Sequence, residues 1–427
     1  MELYQYCLNR SVPLDDRAIG DVFSKDLVLK NQLLKWPTRK FMYEEFFNEQ
    51  GLQPEMIDIL LGQINHSKNP GSPLVHRYVN NGVVFREAMP EFVLTLNQRL
   101  VKWEILGAEM YKVFENEGCK AFVDLFRPDP LNRNRFCDFM LSNGFADPVL
   151  LSVKKEPRKV EKIPRLVCMV SLCDNAAARV VIGDLLLWEQ TLTGISTAVC
   201  LDITTQAETK KLYEEFRAQA PLMSSDVQGW EYSCRYDTLM ADMLRMAYMM
   251  RLTTLDFEVV GSRRHLYALI GMVCSEAFRT MQTSYGNMFT TPVGVVSSGG
   301  LPTFSRNSFR RAYLSEKVAS MLGRELRYQK CAGDDNLDTN PEAENLYRQL
   351  GYVVTDYTMQ EEEFDFCSTK FTKYGSYNMN IHRFAVNFMF DAEKWDERME
   401  AFEIFRNHPE AEKYRRILIE NQPRPAC

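Results

Sequence analysis

The stretch Tyr328–Thr339, YQKCAGDDNLDT, constrains the fold more than any other. Two short extended runs flank Gly333-Asp334-Asp335, and glycine followed by aspartates tolerates the backbone angles that a tight hairpin turn demands. A β-hairpin is predicted, with two adjacent carboxylates held at its tip. Neighbouring negative charges repel, so a fold keeps such a pair on solvated surface or around a cation that neutralises it. The triplet alone admits both readings.

Two upstream stretches narrow the choice. Ser225–Ser233, SDVQGWEYS, places Asp226 and Val227 at the end of a strand-like run, with Glu231 five residues beyond Asp226. Ser297–Ser308, SSGGLPTFSRNS, sets Ser298, Gly299, Thr303 and Asn307 where a glycine-rich loop enters a helix. Thr303 and Asn307 are four apart and share a helix face. Taken singly, Thr303 is a helix cap, Asn307 a solvated amide and Glu231 a helix-start acid favoured by the dipole. In this order and spacing, the three stretches resemble the acidic motif A, the S-G-x3-T-x3-N motif B and the GDD motif C of viral RNA-dependent RNA polymerases. Positive-strand RNA viruses of the sobemovirus, polerovirus and barnavirus type are nearest in kind, and the resemblance is best over residues 150–372.

Leu151–Val167 is the most basic part of the chain, with Lys154, Lys155, Arg158, Lys159, Lys162 and Arg165 inside twelve residues. By itself such a run is a solvated charged loop. Followed by RLVCMVSLCDNAAARVV, it resembles the motif F of the same polymerases, which covers the incoming triphosphate. Fixed cations there stabilise charge building on a departing pyrophosphate.

The resemblance implies site residues. Asp226 and Asp334 hold the catalytic metals with Val227 beside them, and Asp335 assists. Lys155, Arg158, Arg165, Glu231, Ser298, Gly299, Thr303 and Asn307 bind the nucleotide. Phe364–Phe371, FDFCSTKF, resembles the strand that grips the primer end, through Cys367, Ser368 and Lys370. The rival reading is a plain amphipathic edge strand. Two departures stand out. Glu231 occupies a position where the family usually has aspartate, which bears on ribose recognition. No lysine lies between Lys330 and Lys370, so the usual proton donor to pyrophosphate is unassigned.

A net charge of −6 argues against a protein that coats nucleic acid everywhere, but a groove depends on local clusters of Lys and Arg. Eleven cysteines without a C-x-x-C pair, and only five histidines, disfavour zinc sites and a disulfide framework and suit a reducing compartment. The most apolar run, Val180–Trp188, is interrupted by Asp184, so no transmembrane helix is expected. The first residues do not read as a secretion signal.

The periodicity predicts helices over Phe41–Asn48, Met56–Ile64, Val93–Phe114, Tyr236–Leu252, Pro341–Leu350, Trp395–Phe405 and Ala411–Ile419, and strands over Phe257–Val260, His265–Ile270 and Gly351–Tyr357. Leu239, Met243, Met246 and Met250 form a core-facing stripe. Leu314, Val318 and Met321 face inward on the helix after Thr303, while Arg306, Arg310 and Arg311 reach nucleic acid or solvent. The fold class implied is α+β, a right hand with a ferredoxin-like antiparallel palm sheet. Fingers are expected over 1–215, palm over 216–252 and 294–372, a fingers insertion over 253–293 and a thumb over 373–427.

The function implied is RNA-templated RNA synthesis from nucleoside triphosphates by two-metal nucleotidyl transfer, replicating a viral genome with two Mg²⁺ ions for which Mn²⁺ substitutes. Expected partners are RNA template, nascent RNA and nucleoside triphosphates. A genome-linked protein primer and other viral replication proteins are further candidates. The expected setting is the host-cell cytoplasm, at membrane-associated replication complexes reached through those partners. A reverse transcriptase is one alternative, although Cys331-Ala332-Gly333 precedes the paired aspartates in place of that class's aromatic and variable residues. The other is an inactive RNA-binding subunit, against which the intact acids argue.

Overall fold

The computed structural model describes residues 43–154, 166–189, 206–254, 257–301, 303–389 and 395–421. After a short helix, Tyr43–Phe46, and the paired Phe47–Asn48 and Gly51–Leu52, the main helices of the N-terminal part are α1 (Pro54–Gln63), the long α2 (Met89–Asp124) and α3 (Pro130–Ser142). Strands β1 (Val149–Val153) and β2 (Leu166–Met169) precede α4 (Leu172–Glu189) and α5 (Gln206–Gln219). Next come β3 (Leu222–Val227), α6 (Tyr236–Met249), α7 (Arg263–Ala277), β4 (Thr280–Gln282), β5 (Met288–Thr290) and α8 (Thr303–Met321). The hairpin β6 (Gln329–Ala332) and β7 (Asp335–Asp338) is followed by α9 (Glu344–Gln349), β8 (Val354–Gln360), β9 (Phe364–Phe366), β10 (Thr369–Thr372) and β11 (Gly375–Asn378). Helices α10 (Ile381–Met389), α11 (Trp395–Ala401) and α12 (Ala411–Glu420) complete it.

The central sheet has the order β8-β3-β7-β6 and is antiparallel throughout. Its strand alternation decides what each face carries. Leu222 of β3 and Leu337 of β7 point to one side and pack with Leu212 and Phe216 of α5 and with Phe364, Phe366 and Phe371. Val227 and Val354 point to the other, against Leu314 and Val318 of α8 and Tyr347 of α9. Asp226 and Asp335 share the parity of Leu222 and Leu337, so both carboxylates lie on the face away from α8.

A second sheet, β2-β1-β4-β5, has a parallel β1–β4 pair. It flanks a helical core in which α2 packs along α7 and the methionine stripe is buried at Leu239, Met243 and Met246. The small cluster of Ile381, Phe388, Phe402 and Leu418 closes the C-terminal helices.

Several elements differ from the sequence expectation. His265–Ile270 is not a strand but part of α7, whose Ser262 hydroxyl accepts from the His265 amide as an N-cap. Leu266 and Ala268–Ser275 are all buried, and a helix covered on every side shows no apolar stripe by which to recognise it. Among the described residues Phe257–Val260 makes one bridge, Val259 to Thr253, and no strand. Among the described residues of Phe41–Asn48, Tyr43–Phe46 is helical, and Phe47–Asn48 pairs with Gly51–Leu52. There the Asn48 side chain accepts from the Gln50 amide, a local turn that competes with continued helix. Phe364–Phe371 is two strands rather than one, with Cys367 and Ser368 at the turn, both at positive φ (53° and 56°).

Candidate active site

The β6–β7 turn consists of Gly333 and Asp334, with Gly333 at φ 67° as a two-residue hairpin requires. Two contacts from α8 hold it from below. The Gly333 amide donates to Ser308 Oγ (2.9 Å), and Arg311 Nε donates to the Asp334 carbonyl (3.3 Å). Asp334 projects into solvent and Asp335 is half-buried. In the neighbouring pair Ser225 lies opposite Asn336, which brings Asp226 alongside Asp335. Thr355 of β8 lies opposite Asp226 on its other side.

The electrostatics follow from this crowding. Burial, then the Asp334 and Asp226 charges, push Asp335 up to about 7, against a pull downward from Arg311. Burial and Asp334 also raise Asp226, while the Val227 amide donates to its carboxylate and holds it down. Asp226 Oδ1 is buried and has no hydrogen-bond partner among the described residues. Carboxylates that raise one another's proton affinity, one with an orphaned oxygen, form a donor set suited to a hard cation. Among the described residues no three carboxylate, imidazole or thiol side chains gather closely enough to hold an ion by themselves.

The loop before α8 is tied to the second sheet. A Cβ on Gly299 would collide with the Cys168 carbonyl, so only glycine permits this approach. Ser298 Oγ accepts from the Cys168 amide (3.2 Å), and Asn175 brackets the loop by donating to Gly299 O (3.2 Å) and accepting from Leu301 N (3.0 Å). The Val296 amide donates to Glu231 O (2.8 Å), which joins the loop to the segment after β3. Thr303 does not cap by accepting an amide. Its hydroxyl faces the carbonyls of Ser297, Ser298 and Gly300. Asn307, expected to be solvated when read singly, is buried, and its Oδ1 has no partner among the described residues. Lys155, Arg158 and Arg165 lie outside the described residues, but the strand that follows them, β2, is the one against which the Ser298–Gly299 loop is seated.

The structure therefore brings together Asp226, Val227, Asp334 and Asp335, and links Glu231 to the loop of Ser298, Gly299, Thr303 and Asn307. Cys367 joins the acids, since its amide donates to the Asp335 carboxylate. Lys370 turns to its own hairpin, at 3.0 Å from Asp365 and 3.4 Å from Glu363.

The three arginines of α8 meet neither solvent nor an open groove. Arg306 pairs with Asp242 and Glu276, Arg310 with Asp242, and Arg311 is fully enclosed. The sequence reading also missed Asp356, which adds a repulsive charge near Asp226. It missed the layer beneath the acids as well. Arg311 Nη2 donates to Ser225 Oγ (2.6 Å) and Nη1 to Ser315 Oγ (2.8 Å), and Asn336 donates to Asp338 (2.7 Å). The alternation that turns Asp226 and Asp335 outward turns Ser225 and Asn336 toward α8. That was the available signal.

No protein-family model matches the chain. It is 24% identical over 311 residues to the replicase polyprotein P2AB of Southern bean mosaic virus, covering 69% of this chain and 28% of the polyprotein. To the P2AB of Cocksfoot mottle virus it is 24% identical over 314 residues, 69% of this chain and 29% of that protein. The chain thus spans under a third of the length of these relatives. Among solved structures, the RNA-dependent RNA polymerase of a human picobirnavirus superposes with a TM-score of 0.58 at 12% identity, covering 98% of this chain and 72% of that one. The Sicinivirus 3Dpol RNA-dependent RNA polymerase gives 0.51 at 15%, covering 82% and 67%. The fold is the right hand of viral RNA-dependent RNA polymerases, as the sequence motifs led one to expect.

Proposed function

We propose that this chain is the RNA-synthesising part of a viral replicase and extends an RNA strand on an RNA template using nucleoside triphosphates. The observation that carries the reading is the meeting of Asp226, Asp334 and Asp335 at one end of a single sheet face, in a right-hand fold. The 3′-oxygen of the growing strand forms a bond to the α-phosphorus as the bond to the bridging oxygen of pyrophosphate breaks.

Asp226 and Asp334, with the backbone at Val227, would hold two divalent cations, Mg²⁺ or Mn²⁺, with Asp335 assisting. When bound, such cations lower the proton affinity of the attacking hydroxyl and neutralise charge on the leaving group. The chain's own residues do the positioning. Ser298, Gly299, Thr303 and Asn307 set the sugar and base of the nucleotide, with Glu231 opposite. Lys155, Arg158 and Arg165 bind the triphosphate. Cys367, Ser368 and Lys370 face the primer end. On this reading 1–215 and 253–293 form the fingers, 216–252 and 294–372 the palm and 373–427 the thumb. Genome-linked protein, other replication proteins and a membrane-associated complex in the host cytoplasm are the proposed setting.

Asp334→Asn tests the assignment, because Asp334 is solvent-facing and its side chain supports no packing. Incorporation of labelled ribonucleotide on a homopolymeric template should fall at least a hundredfold, with RNA binding retained and the unfolding midpoint no lower than the parent's. Substantial residual synthesis contradicts the assignment. Comparing ribo- with deoxyribonucleotide incorporation by the unaltered chain excludes or admits a reverse transcriptase, and no extension at all with Mg²⁺ supports an inactive RNA-binding subunit.

A further inference from the structure

Beneath the loop that leads into α8 lies a small, half-enclosed cavity of about 30 Å³, lined by Glu276, Arg279, Ser297, Gly300, Arg306 and Arg310 among others. That is room for one or two waters or a single halide. The polar atoms around it are unusual. Arg279 Nε, Arg306 Nη2, Arg310 Nε and Ser297 Oγ are all buried, and none has a hydrogen-bond partner among the described residues. Each of these residues is at least nine-tenths buried. Three of the four atoms are donors that cannot accept, so whatever completes the site must be an acceptor.

The charge is unbalanced in the same sense. Arg306 donates to both oxygens of Glu276 and to Asp242, and Arg310 lies 3.3 Å from Asp242. Arg279 makes no ion pair with a described residue, although Glu276 is near enough to act on it. Three guanidinium groups thus face two carboxylates, and one positive charge is left over. Burying an unpaired charge costs several kcal/mol, which a bound counter-ion relieves. A neutral water offers lone pairs but no charge.

We infer that this cavity is a binding site for one small inorganic anion, a halide such as chloride, held by Arg279, Arg306 and Arg310 with the Ser297 hydroxyl donating to it. The site is separate from the acid cluster on the central sheet, and its evidence is independent of the polymerase reading. Its consequence is mechanical. Ser297 and Gly300 form its roof, so an anion there fixes the loop that carries Ser298 and leads to Thr303.

The test needs no catalytic assay. Thermal unfolding of the full chain is followed at constant ionic strength while sodium glutamate is replaced by sodium chloride or bromide. A saturable rise in Tm of about 1–3 °C is expected, and it should vanish in Arg279→Met. Crystals grown in bromide should show an anomalous peak within hydrogen-bonding distance of all three guanidinium groups. Should Arg279→Met fail to fold, the bromide peak and halide titration of the unaltered chain still decide the matter. The inference is overturned by a linear, non-saturating salt response. Water or a carboxylate of the chain itself at that position also overturns it, as does an adventitious ion only, bound in the crystal without any halide effect on Tm.

Discussion

Arg311→Met is the most informative substitution in the molecule, because one buried guanidinium holds the acid-bearing strands from below. Methionine keeps most of the stem's volume and removes the charge and every donor. Two strong contacts go, to Ser225 (2.6 Å) and to Ser315 (2.8 Å), together with a weaker one to the Asp334 carbonyl, which water at the turn replaces. Ser315 and Tyr347 already lie 3.2 Å apart and bond to each other when the arginine leaves. Ser225 keeps only a 3.3 Å contact from Asn336. Hydrogen bonds to a charged group contribute about 1.5–3 kcal/mol each. Asp338 is fully buried, and its proton affinity, raised by burial, is lowered by Arg311, so it loses its nearest compensating charge. The expected destabilisation is about 3–5 kcal/mol, a large share of the 5–15 kcal/mol typical of a domain, measured by urea unfolding.

A second readout separates this from a purely structural role. Arg311 also draws down the proton affinity of Asp226 and Asp335. Without it both carboxylates hold protons to higher pH, so the acid limb of the extension rate should move upward and activity at pH 6.5 should fall more than at pH 8.5. Arg311→Lys restores the charge without the planar fork. It should recover much of the pH profile and only part of the stability. A Met variant that unfolds within about 1 kcal/mol of the parent, or that keeps the parental pH profile, refutes the argument.

Two further outcomes are expected. With Asp335 lifted from 3.8 to about 7 in the folded state, the folded chain binds more protons than the unfolded one between those values, so metal-free stability should fall as pH rises from about 4 to 7. Added Mg²⁺ should therefore raise Tm more at pH 8 than at pH 5, and equal shifts at both would refute the crowding. Ser368 is exposed in the left-handed region at φ 56°, so Ser368→Gly should stabilise the chain by about 0.5–1 kcal/mol in denaturant unfolding.

The elements most legible in the sequence are those whose chemistry forces particular residue types at short spacing: the Gly333-Asp334-Asp335 turn, the strand ending at Asp226 and the loop entering α8. Each is local in the chain, and its role became legible from the order and spacing of all three together. What escaped depends on partners distant in the chain. Arg306 finds Asp242 and Glu276, 64 and 30 residues upstream, and nothing within SRNSFRR distinguishes such arginines from solvated ones. Helix α7 escaped for the opposite reason, since complete burial erased its period. The β9–β10 turn escaped because Cys-Ser is not a sequence that announces positive φ.

The layer beneath the acids follows from the alternation of the central sheet. At one end of β3 and β7 the position that faces away from α8 is an acid, and its neighbour in sequence must then face α8. Ser225 beside Asp226, and Asn336 beside Asp335, are therefore consequences of placing carboxylates on the open face. Being buried and polar, they require partners, and Arg311 supplies one through a guanidinium fork that also reaches the turn carrying Asp334. Acid geometry and helix packing are in this way the same set of contacts. A change in α8 below the sheet should be felt in the protonation of side chains above it, whereas a change at the solvent-facing Asp334 should leave the layer below undisturbed.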